Sequence, residues 1–270
     1  MKTILVPTDF SEISMKALNV AVKLAKENKA QIKLMTMVEF PALEFAVVDS
    51  AVFTKNDYND NVINEARREI ERLKEAHPEV KIIPIVKPEE EALTPAIVEE
   101  KTDLIVMGST GASGWKEVIS GSHAQYVVRY AECPVLVVKD NHKDFDLKKV
   151  LYVTDFSNTE FIKEALGILH TESVQNNFLY IDTGMKYFNG KMLTEKADQL
   201  AQALHLEHFE FTIYNAATVE RGIIEYAEEI EADLIVMYTH GRDGLERIFE
   251  GSVAEDVVNH SPIPVMTILG

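Results

Sequence analysis

"TDLIVMGSTGASGWKEVISGSHAQYVVRYAECPVLVV" occupies residues 102–138, and the chain returns to it at 232–268 as "ADLIVMYTHGRDGLERIFEGSVAEDVVNHSPIPVMTI". Both copies run from a short apolar segment, through a glycine-bearing stretch, into a helical pattern and a second apolar segment. An earlier pair repeats too: "ILVPTDFSE" at 4–12 and "VLYVTDFSN" at 150–158. Such repetition means that one structural unit is built twice. The offset is 146 residues between Asp9 and Asp155 but 130 between Gly121 and Gly251, so the second copy is 16 residues shorter between these landmarks. The shortening falls opposite "EFPALEFAVVDSAVFTKNDYND" (39–60), which has no clear periodicity. The polar, charged stretch "KDNHKDFDLKK" (139–149) reads as a linker and predicts domains at 1–140 and 147–270.

Within the first copy, apolar runs alternate with helical spacing. "TILVP", "IKLMTMV" (32–38), "VKIIPIV" (80–86), "LIVM" (104–107) and "PVLVV" read as strands. Ile13, Ala17, Val20, Ala21 and Leu24 mark a first helix, and Val62, Ala66, Ile70 and Leu73 a second. Thr94-Pro95 resembles an N-cap followed by proline in the first helical position, and residues 122–131 form a further helix. Strands alternating with helices predict an α/β class: two repeated domains, each an open, five-stranded, mostly parallel sheet with helices on both faces. Pro84 cannot donate to a ladder, so the third strand belongs at an edge; its counterpart "HFEFTIY" alternates as an edge would. The order 3-2-1-4-5 satisfies this. It puts the loops after strands 1 and 4 at a topological switch point, where ligands bind. The apolar fifth strand is the other edge, and the two fifth strands are expected to meet about a pseudo-two-fold axis.

Composition narrows the classes. The chain has 270 residues, 46% of them hydrophobic, and a formal net charge of −17, which argues against a nucleic-acid partner but not against a nucleotide held by local N–H groups. No apolar run approaches the roughly 20 residues that span a bilayer, and the opening "MKTILVPTDF" is unlike a signal peptide. The single cysteine, Cys133, precludes an internal disulfide and reads as a small buried thiol. A soluble, cytoplasmic protein without a membrane partner is expected.

The segment "VMGSTGASGWKEVISGS" (106–122) carries glycines at 108, 111, 114 and 121. So many missing side chains serve either a tight surface turn or a close approach by phosphate. Gly108-x-x-Gly111, nine residues, then Gly121-Ser122 resembles the nucleotide-binding signature of the universal stress protein family. The opening "ILVPTDFSE" and the closing "CPVLVV" are similar to that family as well, and the resemblance covers the chain as a tandem. It implies ATP as ligand, with Mg²⁺ only alongside the nucleotide, near Asp9. By position it implies that Pro7, Thr8 and Asp9 border the adenosine and that the Val38 backbone meets adenine. Met107, Gly108, Thr110 and Gly111, with Gly121, Ser122, His123 and Ala124, would contact ribose and phosphates. The plainer readings stand beside these: Ser122 as an N-cap, Asp9 as an Asx turn capping the first helix, His123 as solvent-facing.

The second copy departs from the signature at Tyr238, where the first glycine is expected, and Val153 replaces the proline matching Pro7. The ring either plugs the phosphate site or forces a different pose. A weaker second site is expected at Thr154, Asp155, Ile181, His240, Gly241, Gly251, Ser252 and Val253. The resemblance implies an ATP-dependent sensor or adaptor in a stress response, read by an unidentified protein partner, with no catalytic residues. The alternatives are slow ATP hydrolysis or phosphotransfer, and a partner-binding protein that takes no nucleotide. No G-x-x-x-x-G-K-[ST] is present to support an enzyme. His205-x-x-His208 has too few ligands for a metal and reads as solvated surface. Glu89-Glu90-Glu91 complement a helix dipole, and Trp115 packs or forms a lid. The apolar 39–60 segment either folds over the crevice or lies at an interface, and further homodimerisation of the tandem is open.

Overall fold

The structure is a computed structural model that describes residues 1–38, 45–48, 51–88, 93–109, 121–140, 145–184, 189–239 and 253–269, with backbone course alone for 45–48, 51–59 and 121–122. The chain divides into two compact units, Met1–Val106 and Met107–Gly270.

The first unit begins with β1 (Thr3–Pro7), whose Ile4, Leu5 and Val6 are fully buried. Helix α1 (Glu12–Asn28) follows, with Ser11 as N-cap accepting from the Ser14 N–H. It ends at Lys29, in the left-handed region at φ 54°, whose N–H returns to the carbonyls of Ala25 and Lys26. The periodic set Ile13, Ala17, Val20, Ala21 and Leu24 is buried, as an amphipathic helix laid on a sheet requires. Next come β2 (Gln31–Val38), β3 (Phe45–Val48), β4 (Ala51–Thr54), α2 (Lys55–Ala76), β5 (Ile82–Pro88), α3 (Leu93–Glu99) and β6 (Leu104–Ser109). Strand β1 pairs in parallel with β2 and β6, and β2 pairs in parallel with β5. Pro84 therefore lies in a strand at the end of the order, where its missing donor costs no ladder bond.

Three local readings change. The 39–60 stretch holds an antiparallel hairpin, β3–β4, which forms its own two-stranded sheet. Helix α3 starts at Leu93, so Thr94 lies inside it and not at the N-cap. Cys133 is half-buried rather than buried, because it sits in the turn before a strand and not in the strand itself.

The second unit contains α4 (Gly121–Tyr130), β7 (Val135–Lys139), β8 (Lys149–Val153), α5 (Glu160–Leu169), β9 (Gln175–Asp182) and α6 (Gly190–Ala203). It continues with β10 (His208–Asn215), α7 (Val219–Glu229), β11 (Leu234–Thr239), α8 (Val253–His260) and β12 (Val265–Leu269). Its strands run β10-β9-β8-β11-β12-β7. Counted by repeat, the order third-second-first-fourth-fifth recurs, as expected.

The repeated "DLIVM" owes its aspartate to strand alignment. Asp103 Oδ2 accepts from the N–H groups of Lys2 and Thr3 at 2.6 and 2.9 Å, and Asp233 Oδ2 accepts from those of Lys148 and Lys149, both at 2.8 Å. Each carboxylate pins the start of a first strand to that of a fourth. Burial alone would raise the Asp103 carboxyl, but the two backbone donors and the charge of Lys2 hold it below its ordinary value.

The fifth strands pair. Strands β7 and β12 are antiparallel, with Val137 opposite Val265, Leu136 opposite Met266 and Val135 opposite Thr267. Under the 130-residue offset Leu136 is the image of Met266, and the outer pairs exchange. This register is that of a local two-fold axis through the central pair.

Candidate functional site

Each repeat ends its first strand in the same turn. In β1's loop, the Thr8 N–H donates to Met35 O at 2.7 Å, and Thr8 Oγ1 accepts from the Phe10 N–H at 2.9 Å. Asp9 Oδ1 accepts from the Ser11 N–H at 3.0 Å and its hydroxyl at 2.6 Å. In β8's loop, Thr154 N–H donates to Leu179 O at 2.9 Å, Thr154 Oγ1 accepts from Phe156 N–H at 2.9 Å, and Asp155 Oδ1 accepts from Ser157 N–H and hydroxyl at 2.9 and 2.5 Å. Phe10 and Phe156 hold φ of 63° and 59°, a conformation uncommon for a side chain of this size. The turn is thus over-determined by hydrogen bonds, and it leaves both aspartates exposed beside buried threonines. Asp9 does form the Asx turn, while the capping role passes to Ser11. Ser11 and Ser157 are participants that sequence reasoning does not pick out, although the repeated "TDFS" contains the signal.

The other expected residues fall as follows. Pro7, Met107, Gly108 and Ala124 are buried, Val38 is buried at the end of β2, and His123 is half-buried in the first turn of α4. Gly121 and Ser122 open α4, where backbone N–H groups lack intrahelical partners. Val253 opens α8. Thr110, Gly111, His240, Gly241, Gly251, Ser252 and Trp115 lie outside the described residues, as does the Glu89-Glu90-Glu91 run. His205, Glu207 and His208 are exposed, and among the described residues no cluster of three or more His, Cys, Asp or Glu could hold a metal ion.

Ile181 is corrected by register. Pro7 pairs with Met35 and Val153 with Leu179, so three residues further on Val38 corresponds to Asp182, not Ile181. Ile181 instead packs under α7: a Cβ built on Gly222 would lie 3.0 Å from its Cδ1 and 2.7 Å from the Ala216 Cβ. Asp182 Oδ1 accepts from the Gly184 N–H at 2.8 Å. Burial first, then the charges of Asp182 and Asp155, raise the Tyr180 phenol above its ordinary value. The mouth of the second crevice therefore carries two carboxylates where the first pairs one with a valine.

Tyr238 completes that mouth. Its hydroxyl lies 3.4 Å from Asp155 Oδ1 and 3.3 Å from Ser157 Oγ, and its ring is 5.5 Å from that of Phe161. Strand β11 runs beside β8, so the residue two positions beyond Val236 crosses the open end of the sheet and reaches the turn. In the first repeat that position is Gly108.

Known proteins share this duplicated frame. The model of the universal stress protein family matches residues 1–139 and again 147–268. The chain belongs to the universal stress protein family. Universal stress protein YxiE of Bacillus subtilis is 33% identical over 144 residues, covering 50% of this chain and 97% of that protein. Universal stress protein MJ0531 of Methanocaldococcus jannaschii is 32% identical over 151 residues, 53% of this chain and 85% of that one. Each relative thus has the length of one repeat, and this universal stress protein is a tandem of two. A universal stress protein structure from Archaeoglobus fulgidus superposes with a TM-score of 0.72 at 22% identity, covering 99% of this chain and 96% of that chain, which establishes the fold. Among the described residues no helix is long and apolar enough to cross a membrane.

Proposed function

We propose that the first repeat binds ATP as a regulatory ligand and that the second has lost this capacity, so that the protein works as a nucleotide-dependent sensor or adaptor with little or no catalysis. The carrying observation is the duplicated threonine–aspartate turn with a tyrosine hydroxyl across it in one repeat and a glycine at the same position in the other. Where Tyr238 stands, a ring fills the space before Asp155; Gly108, the residue at that place in the first repeat, has no side chain. The signature Gly108-x-x-Gly111 and Gly121-Ser122 supplies what a polyphosphate needs: close backbone approach and the positive end of a helix.

Asp9 has a matching chemistry. Both hydrogen bonds from Ser11 fall on Oδ1, so Oδ2 keeps lone pairs for a ribose hydroxyl or for a hydrated Mg²⁺ carried in by the nucleotide. One carboxylate suits a metal held mostly by phosphates and water. In the second repeat, Asp155 and Asp182 together would repel a polyanion. Pro7, Thr8, Val38 and Met107 would line the nucleoside end, and Thr110, Gly111, Ser122, His123 and Ala124 the phosphate end. No general base or terminal-phosphate lysine follows from the motif, which favours binding over turnover.

Titration calorimetry with ATP–Mg²⁺ tests the reading. One site per chain is expected, abolished by Gly111→Val or Gly121→Ala with the unfolding transition retained. Two equal sites, or unchanged affinity in both variants, would overturn it.

A further inference from the structure

The β7–β12 junction is symmetric in backbone and asymmetric in chemistry. Helix α4 packs on α8 above it, and the 130-residue offset assigns each residue its image. Arg129 on α4 makes a two-pronged bond to Glu255 on α8, Nε to Oε1 at 2.9 Å and the terminal nitrogen to Oε2 at 2.6 Å. Glu255 is only 8% exposed. The image of Arg129 is Asn259 and the image of Glu255 is Gln125, so the charge pair exists on one side of the axis and the image positions on the other carry amides. A second asymmetry agrees with the first. Buried Lys139, on β7, donates from Nζ to the Val258 carbonyl, whereas its image on β12 is the exposed Leu269.

We propose that these edges form a heterotypic recognition surface: the α8–β12 edge is built to take an α4–β7 edge and to refuse another α8–β12 edge. Applying the two-fold to like edges shows why. Two α8–β12 edges would bring each Glu255 opposite Asn259, burying two carboxylates with no cation. Two α4–β7 edges would bring each exposed Arg129 opposite Gln125 and forfeit the two-pronged bond. An uncompensated buried charge opposes association far more strongly than a pair promotes it. Specificity here resides in the rejected pairings. The arginine is the apt cation, because its planar fork matches both carboxylate oxygens.

Full-length chains test this. R129E and E255R each set like charges against one another across the junction. In each, the β7 and β12 amides are expected to exchange with solvent about tenfold faster or more. The double variant R129E/E255R restores the pair with reversed sense and is expected to recover the original protection. Mixing the R129E chain with the E255R chain decides the recognition claim. The introduced carboxylate of one chain then meets the introduced guanidinium of the other, and the unaltered Arg129 and Glu255 also pair between the chains. Light scattering should therefore find a one-to-one particle of twice the chain mass. Single variants that exchange like the original chain, a double variant no better protected than the singles, or a mixture that stays at the mass of its components would each overturn the proposal. Should a single variant fold poorly, recovery in the double variant still decides.

Discussion

Lys139→Leu offers a prediction whose magnitude follows from the structure. The residue is 3% exposed, closes β7, and caps the last turn of α8 through the Val258 carbonyl. Pro262, four residues beyond Val258, has no N–H with which to do so. Burial pulls the ammonium down from 10.5 to about 8. Below pH 8 the lysine is protonated in both folded and unfolded chains, and the cost of burying the charge is fully present. Between pH 8 and 10.5 the folded chain sheds the proton while the unfolded chain keeps it, so stability rises with pH across that window. The fall from 10.5 to about 8, at roughly 1.4 kcal/mol for each tenfold change in proton affinity, sets an upper limit of about 3.5 kcal/mol. Leucine, which already stands at the image position 269, removes this slope. At pH 7 it relieves the burial cost but forfeits a charge-assisted bond of about 1.5–3 kcal/mol, so the net change there is small. Urea unfolding of both proteins at pH 7, 8, 9 and 10 measures the difference. Parallel curves, or an original chain that loses stability relative to the variant as pH rises, would refute the reasoning.

Tyr238→Gly should open the second crevice and raise ATP stoichiometry above one per chain in calorimetry; the residual charge of Asp155 and Asp182 keeps the new site the weaker. Gly222→Ala forces a methyl to within 2.7 Å of Ala216 Cβ and 3.0 Å of Ile181, and should destabilise by about 1–3 kcal/mol in denaturant unfolding. The paired change with Ala216→Gly should recover most of that loss. Asp103→Asn should flatten the acid limb: the depressed carboxyl contributes stability above its unfolded value near 4 and loses it as pH falls through the lower folded value, so acid titration of the variant should show a shallower decline. Leu5→Ala empties a fully buried position between β2 and β6 and should cost about 2–5 kcal/mol by the same unfolding assay.

Much of the architecture was open to reading because two signals reinforced each other. Apolar runs such as "LIVM" mark buried parallel strands, and their return at fixed offsets marks a duplicated unit. Pro84 located an edge because its missing donor is a property of the residue itself. The β3–β4 hairpin escaped notice because "FAVVDSAVFT" lacks the alternation that separates strand from buried helix. Thr94 misled because a Thr-Pro pair announces a helix start only when nothing upstream extends it. At the site, the aspartates and threonines were legible from repetition, but the Asp182 correspondence was not. An offset that shifts from 146 to 144 residues between strands 1 and 2 shows only in the ladder register. The reach of the Tyr238 hydroxyl to Asp155 likewise depends on which strands are neighbours, a fact of topology.

The closed β7–β12 ladder removes the dependence of pairing on concentration. When two such units are separate polypeptides, their pairing obeys mass action, and dilution takes the pair apart. Here a covalent tether confines both edges to a volume in which each meets the other at an effective millimolar level, on the order of 10⁻³ M, whatever the copy number. The junction is therefore as complete in a cell holding a few molecules as in one holding thousands, and stoichiometry ceases to be a variable through which its state can be tuned.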